Sequence, residues 1–310
     1  MPLAPLPEPK NPFKRYLHLF FGIVTGTVLF SVLLAVNGIQ MVLAILRPIA
    51  PGLNRRLNRF FANSWWGWCD WWAQSLYGVQ FIYSGDDPPI RENALVMANH
   101  QEMADVPVIF AFAQTKKRLG DIKWFVKDVI KWFPGPGWGM YFLDCLYVKR
   151  DWNKDKTRIQ KTFANLIDNN IPYYLMTFAE GTRIRPQKLS ASQKYAVEIG
   201  IPVTEHVMVP RTKGVVASIQ GLRGHMDAVY DLTIGYVDGV PTLWQWFKGL
   251  PKRVHLHVRR FPASELPQSA EDLTRWVFER YQEKDRLLAY YYEHGAFPET
   301  RDLPAERMTA

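Results

Sequence analysis

A histidine and an aspartate stand five positions apart, directly after a short apolar run. His100 and Asp105 belong to the segment Asn99–Asp105, which reads NHQEMAD, and the run before it, Ala94–Ala98, predicts a buried strand. Strand ends are where α/β proteins place their active groups. A histidine can take a proton from an attacking hydroxyl when a carboxylate holds its other ring nitrogen. The spacing therefore predicts that His100 is a general base and that Asp105 orients it.

The same five-residue spacing has a simpler interpretation. On one regular helix, positions five apart are separated by roughly 140°, so the pair can meet only if a turn precedes the helix. Asp105 and Pro107 look like the start of a helix. Asp105 could then be only a helix cap, with His100 an ordinary histidine at a strand end. The spacing alone leaves both interpretations open.

A second polar segment follows the strongest candidate strand, Tyr173–Phe178. It contains Glu180, Gly181, Thr182 and Arg183, a set that suits phosphate binding at a strand end. Glycine allows close backbone approach, threonine offers a hydroxyl, and arginine offers a two-pronged donor. The alternative is a solvated turn that carries a surface ion pair.

Together the two segments resemble the glycerophospholipid acyltransferase family, whose motifs include NHxxxxD and FPEGTR; here Ala179 stands where the family usually has proline. Two further family motifs are matched in the same order by Tyr147-Val148-Lys149-Arg150 and by Val207-Met208-Val209-Pro210, which continues into Arg211. The resemblance is strongest to the 1-acylglycerol-3-phosphate acyltransferase branch, and in length and detail to a bacterial member of it.

The resemblance implies a chemistry and a set of substrate contacts. His100 would deprotonate the free hydroxyl of a lysophospholipid, which attacks the thioester of acyl-CoA or acyl carrier protein without an acyl-enzyme. The sequence fits this, because it lacks a GxSxG segment and has no cysteine near a motif. Neither a metal nor a cofactor beyond the acyl donor is implied. The implied substrate-binding residues are Glu180, Gly181, Thr182, Arg183, Lys149, Arg150, Val209, Pro210 and Arg211.

Two alternatives to this function stay open at the level of sequence. One keeps the chemistry but changes the acceptor to glycerol 3-phosphate or another lysophospholipid, which the motifs do not distinguish. The other is a membrane-anchored, lipid-binding scaffold without activity. Such a scaffold would be expected to lack His100, Asp105 or Glu180, and all three are present.

Charge points to an anionic partner. The formal net charge is +9, and the basic residues stand in short groups such as 116–118 rather than in one long tract. This favours a membrane surface over nucleic acid, and we expect residues 116–118 to attract the anionic acyl donor. Cys69 and Cys145 show no zinc-site spacing and are expected to be reduced, facing the cytoplasm.

Apolar runs that alternate with helical periodicity predict an α/β fold, with a mixed sheet flanked by helices. The candidate strands are 79–83, 94–98, 146–148, 173–178, 203–209, 228–237 and 254–261. The candidate helices are 106–114, 155–169, 192–199 and 271–292, the last with a cap at Ser269. These elements form the predicted acyltransferase domain, residues 79–310.

The N-terminal residues predict membrane attachment. Residues 1–16 form a proline-rich, mobile lead, and residues 17–46 contain no Asp, Glu, Lys or Arg. As one helix the second segment would reach roughly 45 Å, against about 30 Å of hydrocarbon. It is either a single span or a hairpin bent near Asn37 and Gly38. Residues 47–78 contain five tryptophans and predict helices at the headgroup level, or a helix packed inside the protein. We expect a bacterial inner membrane, with the catalytic domain on its cytoplasmic side.

Overall fold

The computed structural model describes residues 4–149 and 152–298; the side chains of residues 152–154 lie outside that description. In the described part of the chain, seven strands form one sheet in the order β1-β7-β6-β2-β5-β3-β4. The strands are β1 (Gln80–Gly85), β2 (Ala94–Ala98), β3 (Ile122–Lys127), β4 (Leu146–Val148), β5 (Tyr174–Thr177), β6 (Ala228–Tyr236) and β7 (Arg253–Pro262).

Strands β6, β2, β5, β3 and β4 run parallel to one another. Strand β7 is antiparallel to β6, and β1 is parallel to β7. The mixed α/β sheet predicted from the sequence is confirmed. Because the carboxyl ends of parallel strands meet at the same edge of a sheet, the loops that follow β2 and β5 emerge side by side.

Helices cover both faces of the sheet. They are α1 (Pro12–Leu43), α2 (Pro51–Trp71), α3 (Asp105–Thr115), α4 (Pro136–Phe142), α5 (Trp152–Asp168), α6 (Pro186–Glu198), α7 (Thr212–Leu222), α8 (Leu243–Phe247) and α9 (Ala270–His294). The core on one face contains side chains of α2, α3 and α8, and the core on the other face contains side chains of α5, α7 and α9. The Ser269 hydroxyl accepts a hydrogen bond from the Asp272 amide at 3.0 Å, so the predicted cap of α9 is confirmed.

The predicted strand at residues 203–209 is wrong. Its amides are bound by side chains rather than by a neighbouring strand. The Asp285 carboxylate accepts hydrogen bonds from the amides of residues 205–207, and Ser192 accepts one from Val209. Met208 donates its amide to Glu180 at 3.1 Å. The segment is apolar because it is buried, and it is a loop because its donors are already occupied.

Helix α1 is continuous past Asn37, so the hairpin that the sequence allowed at this position is not formed. The Asn37 side chain accepts a hydrogen bond from the Gly135 amide and donates one to Gln40, both at 3.0 Å, so its polar groups are satisfied without a bend. The helix begins at Pro12, inside the segment predicted as a lead, because Asn11 caps it. Ahead of it, the Leu6 amide donates to Val240 at 3.0 Å, so these residues contact the domain.

One face of α1 packs against the rest of the protein. Its buried residues are Gly22, Thr25, Leu29, Leu33, Asn37 and Gln40, which recur at helical spacing. Contacts run from the His18 ring, 2.7 Å from the Lys248 carbonyl oxygen, to the Asn37 contact above. The remaining surface is apolar and exposed, with Phe13, Phe20, Ile23 and Phe30 among its side chains.

The tryptophan-rich helix α2 is partly inside the protein. Trp66 is buried and stacks on Phe110 with ring centroids 5.1 Å apart, and Trp65 donates to the Leu29 carbonyl at 3.1 Å. Trp71 is about half exposed, at 51%. The packing predicted as the alternative is confirmed for Trp65 and Trp66, and the position of this helix at the headgroup level stays a prediction.

Candidate active site

His100 and Asp105 lie together at the carboxyl end of β2. The chain makes a turn after the strand, and α3 begins at Asp105. This turn removes the angular separation that a continuous helix would impose. The Nδ1 atom of His100 lies 2.9 Å from the Oδ2 atom of Asp105. Because Nδ1 is engaged, Nε2 is the ring nitrogen that can take a proton.

Asp105 both begins the helix and holds the histidine. Its Oδ2 atom also accepts hydrogen bonds from the amides of Gln101 at 2.7 Å and Glu102 at 3.0 Å. Its Oδ1 atom accepts one from the hydroxyl of Tyr236, at 2.7 Å. The side chain is fully buried. The N-cap of α3 is Ala104, and no side chain caps this helix, so the interpretation of Asp105 as only a helix cap is wrong. The amides and the tyrosine fix the carboxylate in place.

Tyr236 is a functional candidate that the sequence analysis missed. It lies at the end of β6, and burial raises the pKa of its hydroxyl well above the ordinary value, with the neighbouring Asp105 charge adding to the effect. It therefore remains a hydrogen-bond donor to Asp105. Its place at the end of a long apolar strand beside β2 is the signal that could have found it.

The histidine ring is held by packing as well as by its hydrogen bond. It stacks on the Phe178 ring with centroids 4.0 Å apart and planes 12° from parallel. Asn99, the residue before it, pairs with the backbone of Ile234 on β6 through both its side-chain atoms, at 2.8 and 3.1 Å. The His100 side chain is 12% exposed, so the ring is largely shielded from bulk water.

Glu180 joins two loops, and the predicted role in holding phosphate does not fit its geometry. One carboxyl oxygen accepts from the His100 amide at 2.8 Å, and the other accepts from the Met208 amide at 3.1 Å. The residue is buried, and burial raises its pKa to about 8. A buried carboxyl whose two oxygens are already bound positions the backbone of His100 instead of binding an anion.

Gly181 allows Arg211 to cross the same loop. Its φ of +71° lies in the left-handed region, and a Cβ atom there would stand 2.8 Å from the Arg211 Nε atom. The Arg211 amide donates to the Ala179 carbonyl at 2.7 Å, which joins the two segments. The Thr182 hydroxyl accepts a hydrogen bond from Lys188. Arg211 is exposed on this edge of the sheet.

Glu102 holds two arginines at the site. It forms ion pairs with Arg183 and Arg185, whose side chains remain 43% and 45% exposed. Burial opposes ionisation of Glu102, but hydrogen bonds from the Met103 amide and the two guanidiniums lower its pKa on balance. Glu102 and Arg185 were not among the predicted site residues. The sequence Thr182-Arg183-Ile184-Arg185 contains a second arginine two positions after Arg183, and this repetition could have identified Arg185.

The other predicted binding residues lie at different depths along this edge. Extending the strand register places Lys149 level with His100 but three strands away, roughly 14 Å at the usual strand spacing. Lys149 is exposed, Val209 is half-buried and Pro210 is buried. Arg150 lies outside the described residues.

Lys116 and Arg118 do not form the predicted attraction site for the acyl donor. They lie at the opposite, amino end of the sheet, and both are buried. Lys116 pairs with Asp87, and Arg118 pairs with Asp121 at 3.0 Å and donates to the Glu92 carbonyl at 2.9 Å. Their charges are used within the fold, whereas Lys117, the remaining residue of the predicted group, is exposed.

The two cysteines form no disulfide, and burial raises the pKa of both thiols. A thiol with a raised pKa is a poor nucleophile at neutral pH. Among residues 4–149 and 152–298, no group of three or more His, Cys, Asp or Glu side chains is arranged to hold a metal ion.

Comparison with known proteins agrees with this arrangement. A family model described as acyltransferase matches residues 80–234, and a second, described as acyltransferase C-terminus, matches residues 245–310. The chain belongs to the acyltransferase family. Within this family it is 33% identical to 1-acyl-sn-glycerol-3-phosphate acyltransferase 2 of Brassica oleracea, over 91% of this chain and 74% of that protein.

Other members of the acyltransferase family show similar relationships. The Arabidopsis thaliana protein named 1-acyl-sn-glycerol-3-phosphate acyltransferase 2 is 34% identical, over 88% of this chain and 72% of its own length. The fold matches the crystal structure of the 1-acyl-sn-glycerophosphate acyltransferase PlsC from Thermotoga maritima with a TM-score of 0.52, at 14% identity, covering 87% of this chain and 94% of that one.

Proposed function

We propose that this acyltransferase transfers a fatty acyl group to the free hydroxyl of lysophosphatidic acid, with acyl-CoA or acyl carrier protein as the donor. The observation that carries the proposal is the His100–Asp105 pair at 2.9 Å, with Arg183 and Arg185 beside it. Relatives at about this level of identity are named for the same reaction.

The proposed reaction is a direct transfer. Nε2 of His100 takes the proton of the acceptor hydroxyl, and the oxygen attacks the thioester carbonyl to give a tetrahedral oxyanion. When this intermediate collapses, the C–S bond breaks and the thiolate leaves with the proton returned from His100. The buried Asp105 carboxylate stabilises the imidazolium between these two steps. No group of the protein is acylated.

The phosphate of the acceptor fits the exposed cations of this edge. We assign it to Arg183, Arg185 and Arg211, with Lys149 and Arg150 as the predicted contacts further along the edge. An arginine pair that is fixed by Glu102 presents its remaining N–H donors at low entropic cost. The acyl chains would extend along the apolar surface that includes Val209 and Pro210.

We further propose that the protein lies on the membrane rather than crossing it. Helix α1 is the one described helix long and apolar enough to span a bilayer. It is docked on the domain from His18 to Asn37, so a crossing would pull polar parts of the domain into hydrocarbon. Its exposed apolar face can instead enter one leaflet. The cytoplasmic location of acyl donors supports a cytoplasmic catalytic domain. The closeness to a bacterial member is not shown by the sequence relatives described above, which are plant proteins, and a bacterial inner membrane stays a prediction.

The experiment that tests the function uses purified full-length protein in phosphatidylcholine vesicles. Radiolabelled acyl-CoA and radiolabelled acyl carrier protein are supplied in separate reactions, each with separate acceptors. The acceptors are lysophosphatidic acid, other lysophospholipids and glycerol 3-phosphate. We expect labelled phosphatidic acid, and a loss of roughly 10²–10⁴-fold in His100→Ala. His225→Ala, at the opposite end of the sheet, is the matched control.

Each other result points to a named alternative. A faster reaction with another acceptor would replace lysophosphatidic acid as the substrate. Equal activity in the wild type and His100→Ala would remove His100 from the mechanism. A folded wild-type protein that is inactive with every acceptor, and with either donor, would support the lipid-binding scaffold.

A further inference from the structure

A cavity lies on the outer edge of the sheet. It has a volume of about 410 Å³, and its walls come from β4, α5, the turn after β3 and the segment after α1. We call it the edge pocket, and its charged residues are Arg47, Asp128, Lys131, Asp144, Arg158 and Lys161. Strand β4 is three strands from β2, so the edge pocket is separate from the site at His100.

The edge pocket has more positive than negative charge. Asp128 is shared by Lys131 and Arg158, both at 2.9 Å, and Asp144 lies 3.4 Å from Arg47. Lys161 forms no ion pair within the part of the chain that the structure describes. These four cations and two carboxylates leave the edge pocket with two uncompensated positive charges.

A smaller cavity of about 130 Å³ adjoins the edge pocket and shares Arg47, Asp144 and Asn165 with it. Its additional cation is Arg55, which donates to the neutral side-chain oxygens of Asn165 and Asn169, at 3.1 and 3.2 Å. The Arg55 charge is therefore also uncompensated. Arginine forks and a lysine around an open cavity suit a phosphate group.

The surroundings of the edge pocket are apolar and exposed. Arg47 follows α1 closely, and Val42, Ile45 and Ile49 on either side of it are 66–77% exposed. Trp132, beside Lys131, is 74% exposed. A soluble anion would need the cations alone, whereas a phospholipid would use both the cations and this apolar rim.

We propose that the edge pocket binds the phosphate of an anionic phospholipid whose acyl chains lie against the end of α1. This lipid is additional to the acceptor at His100, and the inference does not depend on which acceptor that is. Binding would fix the position of the domain on an acidic membrane surface.

The test uses full-length protein in a neutral detergent, titrated calorimetrically with dihexanoyl phosphatidylglycerol. Dihexanoyl phosphatidylcholine is the neutral-lipid arm, and coenzyme A and inorganic phosphate are the soluble-phosphate arms. The pocket variant is Arg47→Gln with Lys161→Gln. The control variant, Lys156→Gln with Arg275→Gln, loses the same charge from exposed positions. Lys156 is on the same helix as Lys161 but roughly 140° around it.

We expect phosphatidylglycerol to bind the wild type more tightly than phosphatidylcholine, and the pocket variant to lose at least about tenfold in affinity. The control variant should stay within about twofold, and all three proteins should have equal acyltransferase activity in detergent. Equal losses in both variants would overturn the proposal. So would a pocket-dependent affinity for coenzyme A or phosphate that exceeds the one for phosphatidylglycerol, which would identify the ligand as a soluble phosphate.

Discussion

Lysine and arginine side chains lie at both ends of the sheet, buried at the amino end and partly exposed at the carboxyl end. At the amino end, Lys116 and Arg118 are buried, with their donors bound to carboxylates and carbonyls. At the carboxyl end, Arg183 and Arg185 share one carboxylate and keep more than two fifths of their side chains exposed. Cations at the first end stabilise the fold, and cations at the second are available to a ligand. Substitutions at the two ends should therefore affect different measurements.

The largest effect is expected for Asp105→Asn. The amide would keep the shape of the side chain but would favour the wrong tautomer of His100 and could not stabilise its cation. We expect kcat to fall by about 10³-fold or more, with KM little changed, in steady-state assays. Thermal unfolding is the control. A loss of activity explained entirely by unfolding would place Asp105 with the structural carboxylates.

Glu180 should make stability depend on pH. Its pKa is raised from the ordinary 4.5 to about 8, so between these values the folded protein holds a proton that the unfolded chain releases. The contribution of Glu180 to the free energy of unfolding is therefore fully present below about pH 4.5. It declines by up to about 1.4 kcal/mol per pH unit as the pH rises to about 8.

Glu180→Gln should remove this decline, which chemical denaturation across the pH range would measure. Burial lowers the pKa of His257 to about 4, so this residue makes stability rise with pH between about 4 and 6.5 in both proteins. The difference between the two stability curves therefore reports Glu180 alone. If the free energy of unfolding changed with pH in the same way in the two proteins, the raised pKa of Glu180 would be contradicted.

Arg118→Gln should lower stability without changing the chemistry. Asp121 keeps its ion pair with Arg59, but the hydrogen bonds that the Arg118 guanidinium donates to Asp121 and to the Glu92 carbonyl are lost, which costs about 3 kcal/mol. The free energy of unfolding should fall by that amount, while kcat per folded molecule stays at the wild-type value. A selective fall in kcat would instead support the predicted role of residues 116–118 in attracting the acyl donor.

The smallest of these effects is expected for Tyr236→Phe. It removes the hydroxyl that donates to Asp105 at 2.7 Å, and a hydrogen bond to a charged group contributes about 1.5–3 kcal/mol. We expect kcat to fall about tenfold and the pH–rate profile of His100 to shift. Tyr230→Phe, on the same strand, is the control. A lower melting temperature with an unchanged pH profile would make Tyr236 structural only.

Continuous apolar runs made much of the sheet predictable. Strands β2 and β4 have the predicted bounds, because each is a run of apolar residues with polar residues after it. Strand β3 was missed because Lys123 and Lys127 interrupt its run, although Lys123 is buried. The loop at residues 203–209 was taken for a strand because sequence shows its burial but not the side chains that bind its amides.

The site was predictable where its partners are neighbours in sequence and not where they are distant. His100 and Asp105 are separated by one turn, so their spacing carried the information. Glu180 contacts amides that are 80 and 28 residues away in sequence. Its residue type alone suggested a contact with the ligand, whereas these distant partners show that it positions the backbone. Tyr236 is 131 residues from Asp105, and only the strand order brings them together.

The docking of α1 sets an order of events during synthesis. The His18 ring contacts the Lys248 carbonyl 230 residues later, and a Cβ atom on Gly22 would meet the side chain of that same lysine. At about 5–20 residues per second, the ribosome needs roughly 10–50 s to make that partner after α1 emerges. Throughout this interval the part of α1 near His18 and Gly22 lacks its partner, although Trp65 and Gly135 can already contact the later part of the helix. On the proposed membrane location, a nascent chain would place this part of α1 in lipid or on a chaperone first, and the rest of the domain would then assemble around it.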